Sequence, residues 1–219
     1  DFVAKNDRFL ALLDEAAKTI FNSNAKTVEE ALALPTAEGT LNDSFIAAVA
    51  IIGEKITLRR FEIVEKSDDE LFGSYTHQGG RIVAVTVVKG TADAQVAKNM
   101  AMQVASMNPK FVDEDGVDPE YIENEKKILT EQVLNEGKKP EMVEKIVAGK
   151  IKKELKEVCL VDQPFVKDSD LSVGQYVEKC AKEIGKDMKV VSMVRFEVGE
   201  GIEKKEDDFA AEVAAAVQG

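Results

Sequence analysis

The sequence predicts an α+β fold: two related lobes of small antiparallel sheet packed with helices, plus an inserted antiparallel helical hairpin. Three observations carry that expectation. Helical and strand periodicities alternate along the chain. The stretch from Pro119 to Val158 is dense in Glu and Lys, with the spaced apolar positions of two helices packed on one another. And IGEKITLRRFEI, Ile52 to Ile63, is echoed by IGKDMKVVSMVRFEV, Ile184 to Val198: a helix ends at Ile-Gly, a charged link follows, and a strand finishes Arg-Phe-Glu. The tripeptide alone could recur by chance, but the shared order of helix, glycine, strand and tripeptide favours duplication.

Taken in order, Asn6 to Phe21 places Phe9, Leu10, Leu13, Ala16, Ala17 and Ile20 at helical spacing. Thr27 to Leu34 reads as a short helix ended by Pro35, and Asp43 as the cap of a third helix that Gly53 stops. Lys55 to Glu65 and Arg81 to Gly90 read as strands joined by a polar segment containing LFGSYTHQGG, an antiparallel hairpin or meander. Ala92 to Met107 returns to helical spacing. In the predicted hairpin, Tyr121, Ile122, Ile128, Leu129 and Val133 face Val143, Ile146, Val147, Ile151 and Leu155 across a turn at Gly137 to Pro140. So narrow a seam predicts a module that projects from the body, free to meet a partner. Asp207 to Val217, DDFAAEVAAAV, reads as an acid-capped helix. The expected division is a first lobe at 1–108, a second at 109–206 carrying the hairpin at about 119–158, and a terminal helical module at 207–219.

Composition narrows the function classes. The longest apolar run, Phe45 to Ile52, falls far short of the ~18–20 residues of a membrane span, so a soluble protein without membrane contact is expected. A net charge of −12 repels a phosphate backbone, and no basic stripe offsets it, so direct nucleic-acid binding is not expected. Cys159 and Cys180 read as ordinary thiols of a reducing compartment rather than a disulfide. The opening DFVAKN lacks an initiator methionine, which suggests a start inside a longer polypeptide.

The search for chemistry mostly excludes. His77 is the sole histidine, so His-paired nucleophiles and Cys/His metal sites have one candidate imidazole at most. No phosphate-cradling glycine motif occurs, and the Gly199 to Gly201 stretch lacks the remainder of one. Asp113, Asp115 and Asp118 invite a calcium reading that fails on register: an EF-hand loop from Asp113 would need Gly where Asp118 stands and Glu where Asn124 stands. That cluster reads instead as a solvated loop, with Asp118-Pro119 as helix cap and first residue. No catalytic residue, metal or cofactor is expected, and the chain does not read as an enzyme.

Five stretches, DFVAKN at Asp1, IGEKITLRRFE at Ile52, GSYTHQGGRI at Gly73, AKNMAMQVA at Ala97 and RFEVGEGIEKKEDDFAAEVA at Arg195, together resemble the elongation factor Ts family. Its members are guanine-nucleotide exchange factors for the translational GTPase elongation factor Tu. The resemblance implies that Asp1, Phe2 and Val3 match the stretch that enters the GTPase beside its magnesium site, the phenylalanine wedging there and disturbing the ion's coordination. The threonine and the small three-helix domain that precede this stretch in the family are not in the sequence. The resemblance further implies partner contacts from Ile82 and Val83 and from Gln103, where some members have His, and it places the terminal module against the GTPase. A cytoplasmic location follows, with an organellar matrix or stroma left open, as does a possible homodimer. Blander roles stand beside these: Phe2 as a staple on its own helix, Ile82 and Val83 as strand core, and Gln103 as a surface position. A non-catalytic adaptor assembling through the hairpin is the alternative function. A hydrolase using Asp113 to Asp118 is disfavoured because nothing apolar shelters those acids.

Overall fold

Residues 2–202 are described by a computed structural model, and they divide between Glu65 and Lys66 into two units.

The first unit is built by caps. Helix α1 (Asp7–Phe21) starts at Asn6, whose side chain accepts a hydrogen bond from Arg8 N at 2.9 Å. Helix α2 (Val28–Leu32) opens with a reciprocal capping box between Thr27 and Glu30. A two-residue ladder, β1 (Pro35–Thr36) with β2 (Gly39–Thr40), leads into α3 (Leu41–Ile52). The cap of α3 is Thr40, not Asp43: Thr40 Oγ1 accepts from Asp43 N, while the Asp43 carboxylate accepts from Thr40 N at 2.8 Å. Leu12, Ala16 and Ile20 pack with Ala31, Leu41 and Phe45 in one core. Gly53 ends α3 at φ 79°, a left-handed conformation that glycine adopts without penalty.

Lys55 to Glu65 departs from expectation. It forms no strand and joins no ladder among the described residues, although Ile56, Leu58 and Phe61 pack on the first unit's core.

In the second unit, β3 (Glu70–His77) and β4 (Ile82–Lys89) pair antiparallel across a tight turn, Gln78 to Gly80, in which all three residues have positive φ. The polar segment expected to link two strands is therefore a strand itself. Its Gly73 is required, since a Cβ there would lie 1.9 Å from the Ala97 carbonyl oxygen of the helix crossing it. That helix, α4 (Ala94–Met107), lies on β3 and β4, and Thr86 Oγ1 donates to Ala97 O at 3.1 Å. Then come α5 (Pro119–Asn135) and α6 (Pro140–Val158), a short ladder of β5 (Pro164–Phe165) with β6 (Asp168–Ser172), α7 (Val173–Ile184), and β7 (Lys189–Glu197). Strand β7 pairs antiparallel with β4, giving the order β3-β4-β7. The last strand thus closes the sheet begun by β3 and β4, which keeps all three strands in the unit that starts at Lys66. Ile82, Ala84 and Val88 enter a core with Met100, Val104, Leu160 and Val190. The residues expected as a terminal module, 207–219, lie outside those described.

Helices α5 and α6 form a hairpin. Val133, Val143 and Val147 make a small seam of their own near its turn, and Val117, Val158 and Cys159 a second at its base. At the base Lys110 Nζ donates to Tyr121 OH at 3.0 Å, and Tyr121 OH donates to Glu154 at 3.0 Å. The fold class is thus α+β with small antiparallel sheets, but the two units do not repeat one another.

Candidate functional site

Phe2 stands at the head of a single helical turn, Val3 to Lys5, that precedes α1; its backbone oxygen accepts from Lys5 N at 3.2 Å. Its ring is 96% exposed, so it does not staple onto α1. Val3 is half-buried, and Asp1 lies outside the described residues. A large aromatic held in water on an ordered turn is poorly explained by folding, since burying it would contribute roughly 1.5–3 kcal/mol.

Ile82 and Val83 begin β4, and strand alternation sends them to opposite faces. Ile82 is buried in the core beneath α4, whereas Val83 is 38% exposed on the other face, in register with Phe196 of β7. The plain strand-core reading therefore fits Ile82, and surface exposure singles out Val83. The same end of the sheet carries the last turns of α4: Arg195, opposite Ala84, donates through Nε to Ala105 O at 3.3 Å and pairs with Glu197 at 2.7 Å. A cation is well placed there, at the negative end of the helix dipole.

Gln103 is not a surface residue. It is fully buried, and its amide is spent internally: Nε2 donates to Gln163 Oε1 at 3.2 Å and to Pro164 O at 3.0 Å, and Oε1 accepts from Val166 N at 2.8 Å. Both glutamines are buried polar groups, and both are satisfied.

The remaining candidates take ordinary roles. Asp113 accepts from Gly116 N at 3.0 Å and Asp118 caps α5 through Glu120 N at 2.8 Å, and no cluster of metal ligands occurs among the described residues. His77 ends β3, stacked on Tyr75 at 5.9 Å. Both cysteines are free; burial, and then the charges of Asp162, Glu114 and Asp113, push the Cys159 thiol up to about 11. A thiol so placed is a poor nucleophile at neutral pH. Among the described residues no helix is long and apolar enough to cross a membrane.

The sequence profile described as Elongation factor TS matches residues 1–200. The chain belongs to the elongation factor Ts family. Curated relatives agree: it is 52% identical to the elongation factor Ts of Limosilactobacillus fermentum, over 213 residues that cover 97% of this chain and 70% of that one. To the elongation factor Ts of Limosilactobacillus reuteri it is 49% identical, covering 97% of this chain and 71% of the relative.

Two further apolar residues are partly exposed, at the end of α4 and near the end of β7. Met107, the last residue of α4, is 44% exposed, and Phe196 is 37% exposed beside Val83. Each has a readable signal, an apolar residue just before a helix stop and one flanked by charges at a strand end. The hairpin base adds a half-buried tyrosine: partial burial raises the Tyr121 hydroxyl, while its hydrogen bond to that hydroxyl raises Lys110.

Proposed function

We propose that the chain promotes release of GDP from elongation factor Tu, so that GTP can rebind, by disturbing the magnesium and phosphate site of the GTPase. Family membership supports the partner, and the observation that carries the mechanism is the 96% exposure of Phe2 on its ordered turn. Magnesium demands near-ideal octahedral geometry and bridges nucleotide to protein, so a ring inserted beside it loosens both. No bond of a substrate is made or broken; the chain acts by binding, with no cofactor of its own, as a cytoplasmic protein. Val83, with Phe196 beside it, offers a second contact surface, and Ile82 supports it from the core. Gln103 contributes through the position of α4, since its side chain has no exposed surface.

The test is the release of labelled GDP from elongation factor Tu with this chain and with Phe2→Ala. Linkage requires a factor that expels nucleotide to bind the empty GTPase better than the loaded one by the factor with which it weakens nucleotide. Phe2→Ala is expected to cut that ratio by roughly tenfold to a hundredfold, the worth of a buried aromatic. Titration calorimetry of empty and GDP-bound GTPase at fixed magnesium reads it. An unchanged ratio with lower affinity for both forms rejects the wedge, and binding without acceleration of release leaves an adaptor.

A further inference from the structure

Two buried glutamines from distant parts of the chain hold four backbone positions at once. Gln163 Nε2 donates to Glu157 O, in the last turn of α6, at 2.7 Å, and to Met107 O, at the end of α4, at 3.4 Å. Its Oε1 receives Gln103 Nε2, which also reaches Pro164 O, while Val166 N donates to Gln103 Oε1. The backbone partners fix the orientation of both amides, because a carbonyl must face nitrogen and an N–H must face oxygen. The chain of donors therefore runs one way, from the Val166 N–H through Gln103 and Gln163 to the ends of α4 and α6. Neither amide can flip without setting oxygen against a carbonyl in a buried site, where an unsatisfied group is costly.

The location gives the pair its consequence. The hairpin base has its own small apolar cluster, distinct from the core beneath α4. Leu160 and Phe165 carry the returning chain into that core, but apolar packing is not directional. Backbone bonds already join the end of α6 to the segment that leaves α4, Val158 O accepting from Lys110 N at 2.8 Å and Leu160 N donating to Phe111 O at 2.8 Å. The amides add side-chain bonds that reach back into the last turn of α6 and the last turn of α4, which lies over the start of β4. We infer that Gln163, through Gln103, is a positioning residue: the pair is a clasp that locks the direction of the hairpin to the α4 end of the sheet and presents both to the partner as one preformed surface. This rests on the exchange reading for its functional consequence, and on geometry alone for the clasp. Preorganisation of this kind acts on affinity, since ordering that is complete before binding is not charged to it.

Two variants cut the clasp differently. Gln163→Ala removes three of its bonds. Val166→Pro removes one donor at a half-exposed turn between β5 and β6, where φ is not positive, leaving both glutamines in place. Spin labels on non-natural residues at Lys139, in the hairpin turn, and Ser74, exposed on β3, read the hairpin direction in the full chain. The unaltered protein is expected to give one narrow distance distribution, and both variants a broadened or displaced one. In the GDP-release assay the half-saturating concentration is expected to rise about tenfold for Gln163→Ala, with the maximal rate within twofold. A lower melting temperature with unchanged distances in both variants means the glutamines merely stabilise the fold, and overturns the clasp. A fall in maximal rate at constant half-saturation overturns the positioning role. If the unaltered chain does not accelerate release, the exchange reading fails, and the distance measurement still decides the clasp.

Discussion

Lys55 to Glu65 and β7 start from the same instructions and end differently. Each follows a helix closed by a left-handed glycine, Gly53 at φ 79° and Gly185 at φ 66°, and each reaches Arg-Phe-Glu. Strand β7 pairs with β4 along its length and lies over Met100 and Val104. The earlier segment only lays Ile56, Leu58 and Phe61 on a helical core. Even the matching phenylalanines part ways, Phe61 packed on that core and Phe196 partly exposed on the sheet. An alternating pattern supplies a face to bury, but a strand also needs a neighbour for its N–H and C=O groups. In the second unit β4 supplies one; in the first, the only ladder among the described residues is the two-residue pairing of β1 with β2.

Amide hydrogen exchange tests this contrast where its effect is largest. The amides of β4, bonded on both sides, should open only with unfolding of the second unit, at a free energy of order 5–15 kcal/mol. Those of Ile56, Leu58 and Ile63 should exchange at free energies of order 1 kcal/mol or less. Equal protection would mean that the segment has a ladder and that the two units are alike after all.

The same contrast explains what could be read from the chain. Helices α1, α4, α5 and α6 were legible because their periodicity and stops are local, and Thr40 was legible in principle, since Thr-x-x-Asp is a capping pattern. The strand character of β3 was hidden by Gly73, Ser74 and Thr76, which look like loop; the reason for Gly73 is a helix carbonyl more than twenty residues later. The burial of Gln103, which reads from the sequence as a partner contact or else a surface position, is hidden for the same kind of reason, its partners Gln163, Pro164 and Val166 being invisible to spacing. At the candidate site, Phe2 could be picked out by resemblance, but its exposure required coordinates.

A smaller effect comes from truncating one side chain under each segment. Met100 is fully buried beneath β4 and β7, so Met100→Ala should cost about 2–5 kcal/mol in denaturant unfolding. Leu58 is half-buried against the first unit, so Leu58→Ala should cost less than about 2 kcal/mol. Comparable losses would show that Lys55 to Glu65 is held as tightly as β7.

The smallest expected effect concerns acid and salt, and it separates the units by how their carboxylates are held. In the first unit, Glu30 is lowered by backbone hydrogen bonds from Lys26 and Thr27, and Asp43 by the Thr40 backbone N–H and then its hydroxyl. In the second, Asp69 is lowered chiefly by its hydrogen bond from Lys89, and Glu178 by that from Lys182. All four have folded pKa values below their unfolded ones, so each contributes stability that is present above the unfolded pKa, near 4, and is lost as pH falls through the lowered folded value. The partners differ in kind. An exposed lysine is a mobile charge that salt screens, whereas a backbone N–H at a helix start is a fixed, short-range donor. Raising salt from about 0.01 M to 1 M, which shortens the screening length roughly tenfold, should therefore flatten the acid dependence contributed by Asp69 and Glu178 and leave that of Glu30 and Asp43. Carboxylate chemical shifts followed by NMR from pH 6 to pH 2 at both salt concentrations read each group separately. A salt-sensitive Asp43 would mean that long-range charge, rather than the Thr40 cap, lowers it, and that the first unit is not held by its caps in the way its short ladder requires.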